Sequence, residues 1–279
     1  MNLFYATGSD LEGVKELVAE LKESEAAQAF VVEVGAGWTR IECVAGGQPI
    51  FFEGKAAETP SAAAALLALR QAGSPTALIW DVSLLPDHPL LISLGRECDR
   101  VITSMIRPCA STISLQRWFD LRRRLGSRPL ISDLFESLVN PWQREISRIM
   151  TEHDSASICE VAFYFASDSL PADMLLVGAW IATVLGWTDE SIISCDDRTD
   201  IAFARDRSMI FVKASKTDGT RVELHFDDSQ DTPFICEEPE GEVLIVELLR
   251  EQLSSMKRNP VRESSLERAE KWIRELTDR

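Results

Sequence analysis

Ser74-Pro75-Thr76-Ala77-Leu78-Ile79-Trp80-Asp81 is the stretch on which the fold turns. Gly73-Ser74-Pro75 interrupts whatever precedes it, and Thr76–Trp80 then reads as an apolar strand without polar alternation, the pattern of a strand covered on both faces. Upstream, Pro60-Ser61 opens an Ala/Leu helix to about Gln71, with proline in the first-turn position it tolerates. Downstream, a helix around Pro89–Gly95 leads into a second strand, Arg100–Ile102. Residues 60–103 therefore predict helix, strand, helix, strand, and this alternation argues for an α/β fold: a mostly parallel sheet flanked by helices.

Toward the N-terminus, Asp10 caps a helix whose Leu11, Val14, Leu17, Val18 and Leu21 recur on one face. Phe30–Val34, Thr39–Val44 and Ile50–Phe52 are rich in β-branched and aromatic residues and predict a small antiparallel element. The string Val32-Glu33-Val34-Gly35-Ala36-Gly37 has the look of a nucleotide-binding loop. Such loops need a helix N-terminus directly after the glycines, whereas Trp38–Val44 continues as a strand and the third glycine is missing, so a hairpin turn is the better reading.

Toward the C-terminus, Ser114–Leu125 predicts a helix carrying Arg117, Arg122, Arg123 and Arg124, stopped by Gly126-Ser127-Arg128-Pro129. The domain junction is placed there, giving an N-terminal α/β domain over 1–127 and a C-terminal α+β domain over 128–279. In the second domain Ser132–Val139 predicts one helix, and Asn140-Pro141-Trp142 the cap of another running to about Met150. Ile158–Phe165 follows as a strand and Pro171–Leu185 as a nearly uncharged, buried helix. Ile192–Ser194, Ile201–Ala204, Met209–Lys213, Arg221–Phe226 and Phe234–Cys236, with turns such as Asp218-Gly219, predict an antiparallel sheet. Glu242–Leu253 is read as helical and Glu263–Leu276 as an amphipathic terminal helix.

The chain has 279 residues, 45% hydrophobic and 27% charged, with a formal charge of −16. That excess of acids argues against nucleic acid or an anionic membrane as a partner. No run reaches the roughly 18 apolar residues of a membrane span, and Met1–Asp10 lacks a signal-peptide layout, so a cytoplasmic location is expected. The charge is lopsided: residues 1–129 hold 15 acids and 13 bases, and residues 130–279 hold 30 and 16. Against this background, Arg100–Arg128 contains seven arginines and one acid, Asp120. The arginine cluster 117–128 suits a phosphorylated ligand or, alternatively, a solvated helix face paired with the acidic second half.

Chemistry-bearing patterns are sparse. Cys43, Cys98, Cys109, Cys159, Cys195 and Cys236 lie far apart and read as buried free thiols, and no metal set is expected. Asp196-Asp197 with Asp200 lacks the glycine and terminal glutamate of a calcium loop. His88, His153 and His225 stand alone, and His88 in Pro86-Asp87-His88-Pro89 suits a helix cap. Trp38, Trp180 and Trp272 fall on apolar faces and read as core. Trp80, Trp142 and Trp187 sit at element ends, where tryptophan serves as a contact anchor or packs in the core.

Taken in order, Ser74–Trp80, His88-Pro89-Leu90, Cys98-Asp99-Arg100-Val101-Ile102, Ser132-Asp133-Leu134, Asn140-Pro141-Trp142-Gln143-Arg144 and Leu176–Ala182 closing in Leu185-Gly186-Trp187 resemble the OpcA family of glucose-6-phosphate dehydrogenase assembly proteins. The resemblance spans roughly residues 60–190. Phe135–Asn140 lacks the tryptophan and arginine usual there, and the N-terminal region is short for the family. The resemblance implies a non-catalytic, cofactor-free activator whose partner is glucose-6-phosphate dehydrogenase. The expected contact surface gathers Trp80, His88, Asp133, Trp142, Arg144 and Trp187, with the arginine helix, Arg117 and Arg122–Arg124, steering an acidic patch. The alternative is an enzyme holding a phosphorylated or nucleotide ligand at the strand ends near Asp81 and Thr103.

Overall fold

Asn2–Thr7, a segment without a clear sequence signal, forms strand β1 at the centre of the larger sheet, with every residue buried. The computed structural model describes residues 1–8, 11–25, 28–44, 48–53, 60–81, 87–105, 112–152, 158–164, 171–187, 200–204, 221–226, 234–237, 245–254 and 257–277. The cap at Asp10, the expected strands Ile192–Ser194 and Met209–Lys213, the Asp218-Gly219 turn, Asp196, Asp197, Cys109, Cys195 and His153 lie outside them.

After β1 come α1 (Leu11–Glu25), β2 (Gln28–Gly35), β3 (Trp38–Cys43), β4 (Ile50–Glu53), α2 (Pro60–Leu69), β5 (Thr76–Trp80), α3 (Pro89–Gly95), β6 (Arg100–Thr103), α4 (Thr112–Leu125), β7 (Leu130–Asp133) and α5 (Leu134–Glu152). The sheet runs β4-β3-β2-β1-β5-β6-β7. Its five strands from β2 to β7 are mutually parallel. β3 and β4 extend it antiparallel. The glycine string is a two-residue hairpin turn: Gly35 pairs with Trp38, and Gly37 takes φ 79°. The Trp38 ring lies where a Cβ on Gly35 would stand, so only glycine fits there. Trp38 is thus 37% exposed rather than in the core, because its ring covers the turn.

Alternation along the strands sends Leu3, Tyr5, Val31, Ile79 and Ile102 to one face, where they pack with Val18 and Leu21 of α1 and with Leu249 and Leu253. The last two belong to a helix, residues 245–254, from far along the chain. On the other face Phe4 stacks on Phe30 with ring centres 5.3 Å apart.

The remaining elements are β8 (Ile158–Tyr164), α6 (Ala172–Val184), β9 (Asp200–Ala204), β10 (Arg221–Phe226), β11 (Phe234–Glu237), α7 (Ile245–Ser254) and α8 (Pro260–Thr277). β11-β10-β8-β9 form an antiparallel sheet. α6 is buried around most of its circumference and packs on α8, of which Leu266, Ala269, Trp272 and Ile273 are buried. Asn259 caps α8, its Oδ1 accepting from Val261 N at 3.0 Å, and Pro260 opens the first turn.

By contacts the chain forms two units: residues 1–107, 117–137 and 243–257, and residues 108–116, 138–242 and 258–279. The division does not follow the expected junction at 126–129, because β7 pairs in register with β6 and α7 belongs to the first unit. Nor does Asn140-Pro141 start a new helix. α5 runs unbroken through Pro141, an internal proline that deletes one backbone hydrogen bond.

Candidate functional site

The strand ends of the first sheet bring chemistry to two opposite edges. At the carboxyl edge Asp81 N donates to Ala6 O at 3.0 Å and Ser104 N to Trp80 O at 3.2 Å, so Thr7, Asp81, Ser104 and Asp133 follow one another across adjacent strands. Tyr5 Oη donates to Asp81 Oδ2 at 3.2 Å. Burial first, then the Asp81 charge, pushes the Tyr5 phenol well above its ordinary pKa, so it stays a proton donor. The Ser104 hydroxyl is buried with no hydrogen-bond partner among the described residues.

Asp133 is fully buried here. Its Oδ2 accepts from the Thr103 hydroxyl at 2.5 Å and from Met105 N at 2.8 Å, and Trp118 Nε1 donates to Thr103 Oγ1 at 3.1 Å. Asp133 N in turn donates to Glu136 Oε1 at 2.9 Å, which is half of a capping box at the start of α5. His88 is the N-cap of α3: its Nδ1 accepts from Leu90 N at 3.2 Å, and its ring centre lies 5.7 Å from that of Trp80. An accepting Nδ1 leaves the proton on Nε2.

At the amino edge, Arg96 donates from Nε and Nη2 to Arg124 O at 3.1 and 2.8 Å, and Arg128 pairs with Glu97 at 2.9 Å. Arg70, Arg128 and Asp99 line a cleft of about 570 Å³ floored by Gly73, Ser74 and Pro75. Arg70, Arg96 and Arg122–Arg124 all stand at or just past helix C-termini, where the partial negative charge of the last carbonyls favours cations.

In the second unit, Leu185-Gly186-Trp187 closes α6. Gly186 N donates to Thr183 O at 3.1 Å and Trp187 N to Ala182 O at 2.9 Å, with Gly186 at φ 65°, which is a Schellman stop. Arg268 of α8 donates to Trp187 O at 2.7 Å.

The expected contact residues are therefore not one patch. Trp80, Trp142 and Trp187 are 0%, 4% and 5% exposed, and with Asp133 they sit in the interior as fold elements rather than surface anchors. Trp80 and His88 do meet. Arg122, Arg123 and Arg124 lie at the end of the sheet opposite to them, Arg117 is exposed in the middle of α4, and Arg144 is exposed on α5. Sequence reading missed Tyr5 and Thr7, along with Arg70 and Arg96. The signal for the latter pair was a lone arginine at each helix C-terminus.

Among the described residues no group of His, Cys, Asp and Glu could hold a metal ion, and no helix is long and apolar enough to cross a membrane. No family model matches the chain, and no curated protein does. Among solved structures, a hyperthermophilic archaeal homoserine dehydrogenase in complex with NADPH is similar over 91% of this chain and 96% of its own, at 10% identity and TM-score 0.36.

Proposed function

We propose that this chain is a non-catalytic cytosolic docking protein that binds glucose-6-phosphate dehydrogenase, promotes its assembly and raises its activity. The ordered run of motifs from Ser74 to Trp187 carries this reading. Its support is that the matching residues are the ones that build the scaffold: Trp80 and His88 at the β5–α3 connection, Asp133 at the β7–α5 junction, and Leu185-Gly186-Trp187 at the stop of α6. Activation is then linkage. A protein that binds the active oligomer tenfold more tightly than the inactive one shifts the balance by about 1.4 kcal/mol. Dehydrogenase kinetics and oligomer size, measured with and without the chain, test this: raised activity or a shift to the larger species is expected, and unchanged values for both end the proposal.

A second reading, an enzyme acting on a phosphorylated or nucleotide ligand, is favoured by the carboxyl edge. The parallel strands run in the order β2-β1-β5-β6-β7, so direction reverses between β1 and β5, where such sheets hold ligands, and the Ser104 hydroxyl lies at the same edge. Calorimetric titration with NADPH and ATP tests it, and absence of heat with both removes those nucleotides.

A further inference from the structure

We infer that the amino edge of the first sheet is a docking surface for an acidic segment of another protein. Arg70, Arg96, Arg122, Arg123, Arg124 and Arg128 gather at this edge, and among the described residues Glu97, Asp99 and Asp120 lie beside them. Part of this charge is already used. Arg128 holds Glu97, Arg123 holds Asp120, and Asp99 Oδ2 accepts from Thr76 N at 2.8 Å.

The ordinary explanation, that the arginines neutralise helix dipoles, does not exhaust it. The C-termini of α2, α3 and α4 each bring about −0.5 charge. Among the described residues, six arginines stand at this edge beside Glu97, Asp99 and Asp120, a local excess of cations on a chain whose total is −16. Within a Debye length of about 8 Å the local charges decide. Arg70 and Arg124 make no ion pair among the described residues, and both are exposed. At the cleft Arg70 offers a guanidinium fork to a carboxylate, a group it can bind in two-pronged fashion, with Arg128, held by Glu97, on the same lining.

A polypeptide fits better than a nucleic acid, because the aromatic rings of α4, Trp118 and Phe119, are buried and give bases no platform on which to stack. The surface also differs from the carboxyl edge, so a ligand there and a partner here would not compete.

The probe is a fluorescein-labelled polyglutamate peptide followed by polarisation at about 20 and about 150 mM NaCl. Arg70→Glu with Arg124→Glu is the test variant, and Arg144→Glu with Arg274→Glu, both exposed in the second unit, is the control of equal charge change. Binding by the full chain that weakens about tenfold or more in the test variant, with a shallower salt dependence, and that survives in the control, supports the surface. No binding, equal loss in the control, or equally tight binding of an oligouridylate overturns it. If the reversal variant unfolds, Arg70→Gln with Arg124→Gln replaces it and the same loss is required. These outcomes do not depend on glucose-6-phosphate dehydrogenase: titrating that enzyme in the same salt series tests the functional proposal separately, since it can fail while the peptide still binds.

Discussion

The Thr103 hydroxyl donates to Asp133 Oδ2 at 2.5 Å, across neighbouring parallel strands and in full burial. The same oxygen takes the Met105 N–H, so one carboxylate closes the end of β6, the chain leaving it and the start of α5.

Asp133→Ala removes the acceptor of the Met105 N–H and leaves the Thr103 hydroxyl only the long contact to Ser132 O at 3.4 Å. We expect a loss of about 2–4 kcal/mol, the usual cost of orphaned buried donors to a charged acceptor. Urea unfolding checks this, with the midpoint falling at unchanged slope. Partner binding at temperatures where the variant is folded should be unaltered, because the side chain does not reach the surface.

Gln252 of α7 joins two groups far from it in sequence: its Oε1 accepts from Arg100 Nη2 at 2.6 Å and its Nε2 donates to Ser137 Oγ at 2.6 Å. Arg100 is itself buried. Removing an acceptor from a buried guanidinium costs more than removing a surface contact, so Gln252→Ala should cost about 2–3 kcal/mol. Hydrogen exchange should show α7 losing protection before the strands do.

Gly186→Ala puts a side chain at φ 65° in the stop of α6. A destabilisation of about 1–2 kcal/mol is expected, and Gly186→Asn should lose less, since asparagine tolerates this conformation better. Thermal unfolding of the three proteins ranks them.

The Cys98 thiol is buried, and burial pushes its pKa up to about 12. At about pH 8 it should resist thiol reagents in the native protein and react after denaturation. The sign for stability follows: below the ordinary thiol pKa near 9 both states are protonated, and between there and about 12 the unfolded chain alone ionises. Stability should fall across that window, and Cys98→Ser should remove this part of the fall.

The helix–strand alternation of residues 60–103 was legible because buried parallel strands and Pro/Gly punctuation leave a strong pattern. β1 was not, since Asn2-Leu3-Phe4-Tyr5-Ala6-Thr7 has polar residues at both ends whose burial depends on bonds to distant groups, such as Asn2 Nδ2 to Gln71 O at 3.1 Å. Asn140-Pro141 imitates a helix start, but local capping chemistry yielded to the apolar face of α5, with Val139, Trp142, Ile146 and Ile149 buried on both sides of the proline. Tryptophans at element ends looked like anchors because sequence position does not say what covers a strand end. For Trp80 the cover includes the His88 ring. The arginines of α4 were visible as a cluster, whereas their meeting with Arg70 and Arg96 depends on the order of the strands, which no local pattern encodes.

α7 covers the Leu3–Ile79–Ile102 face yet is made of residues 245–254, after the whole antiparallel sheet has been synthesised. A ribosome therefore extrudes the N-terminal sheet before α7 exists, and the part of that face which α1 does not cover stays open until residues 245–254 emerge. Folding of this half is a closing act, and a fragment cut at the first apparent boundary would leave that part open to aggregation.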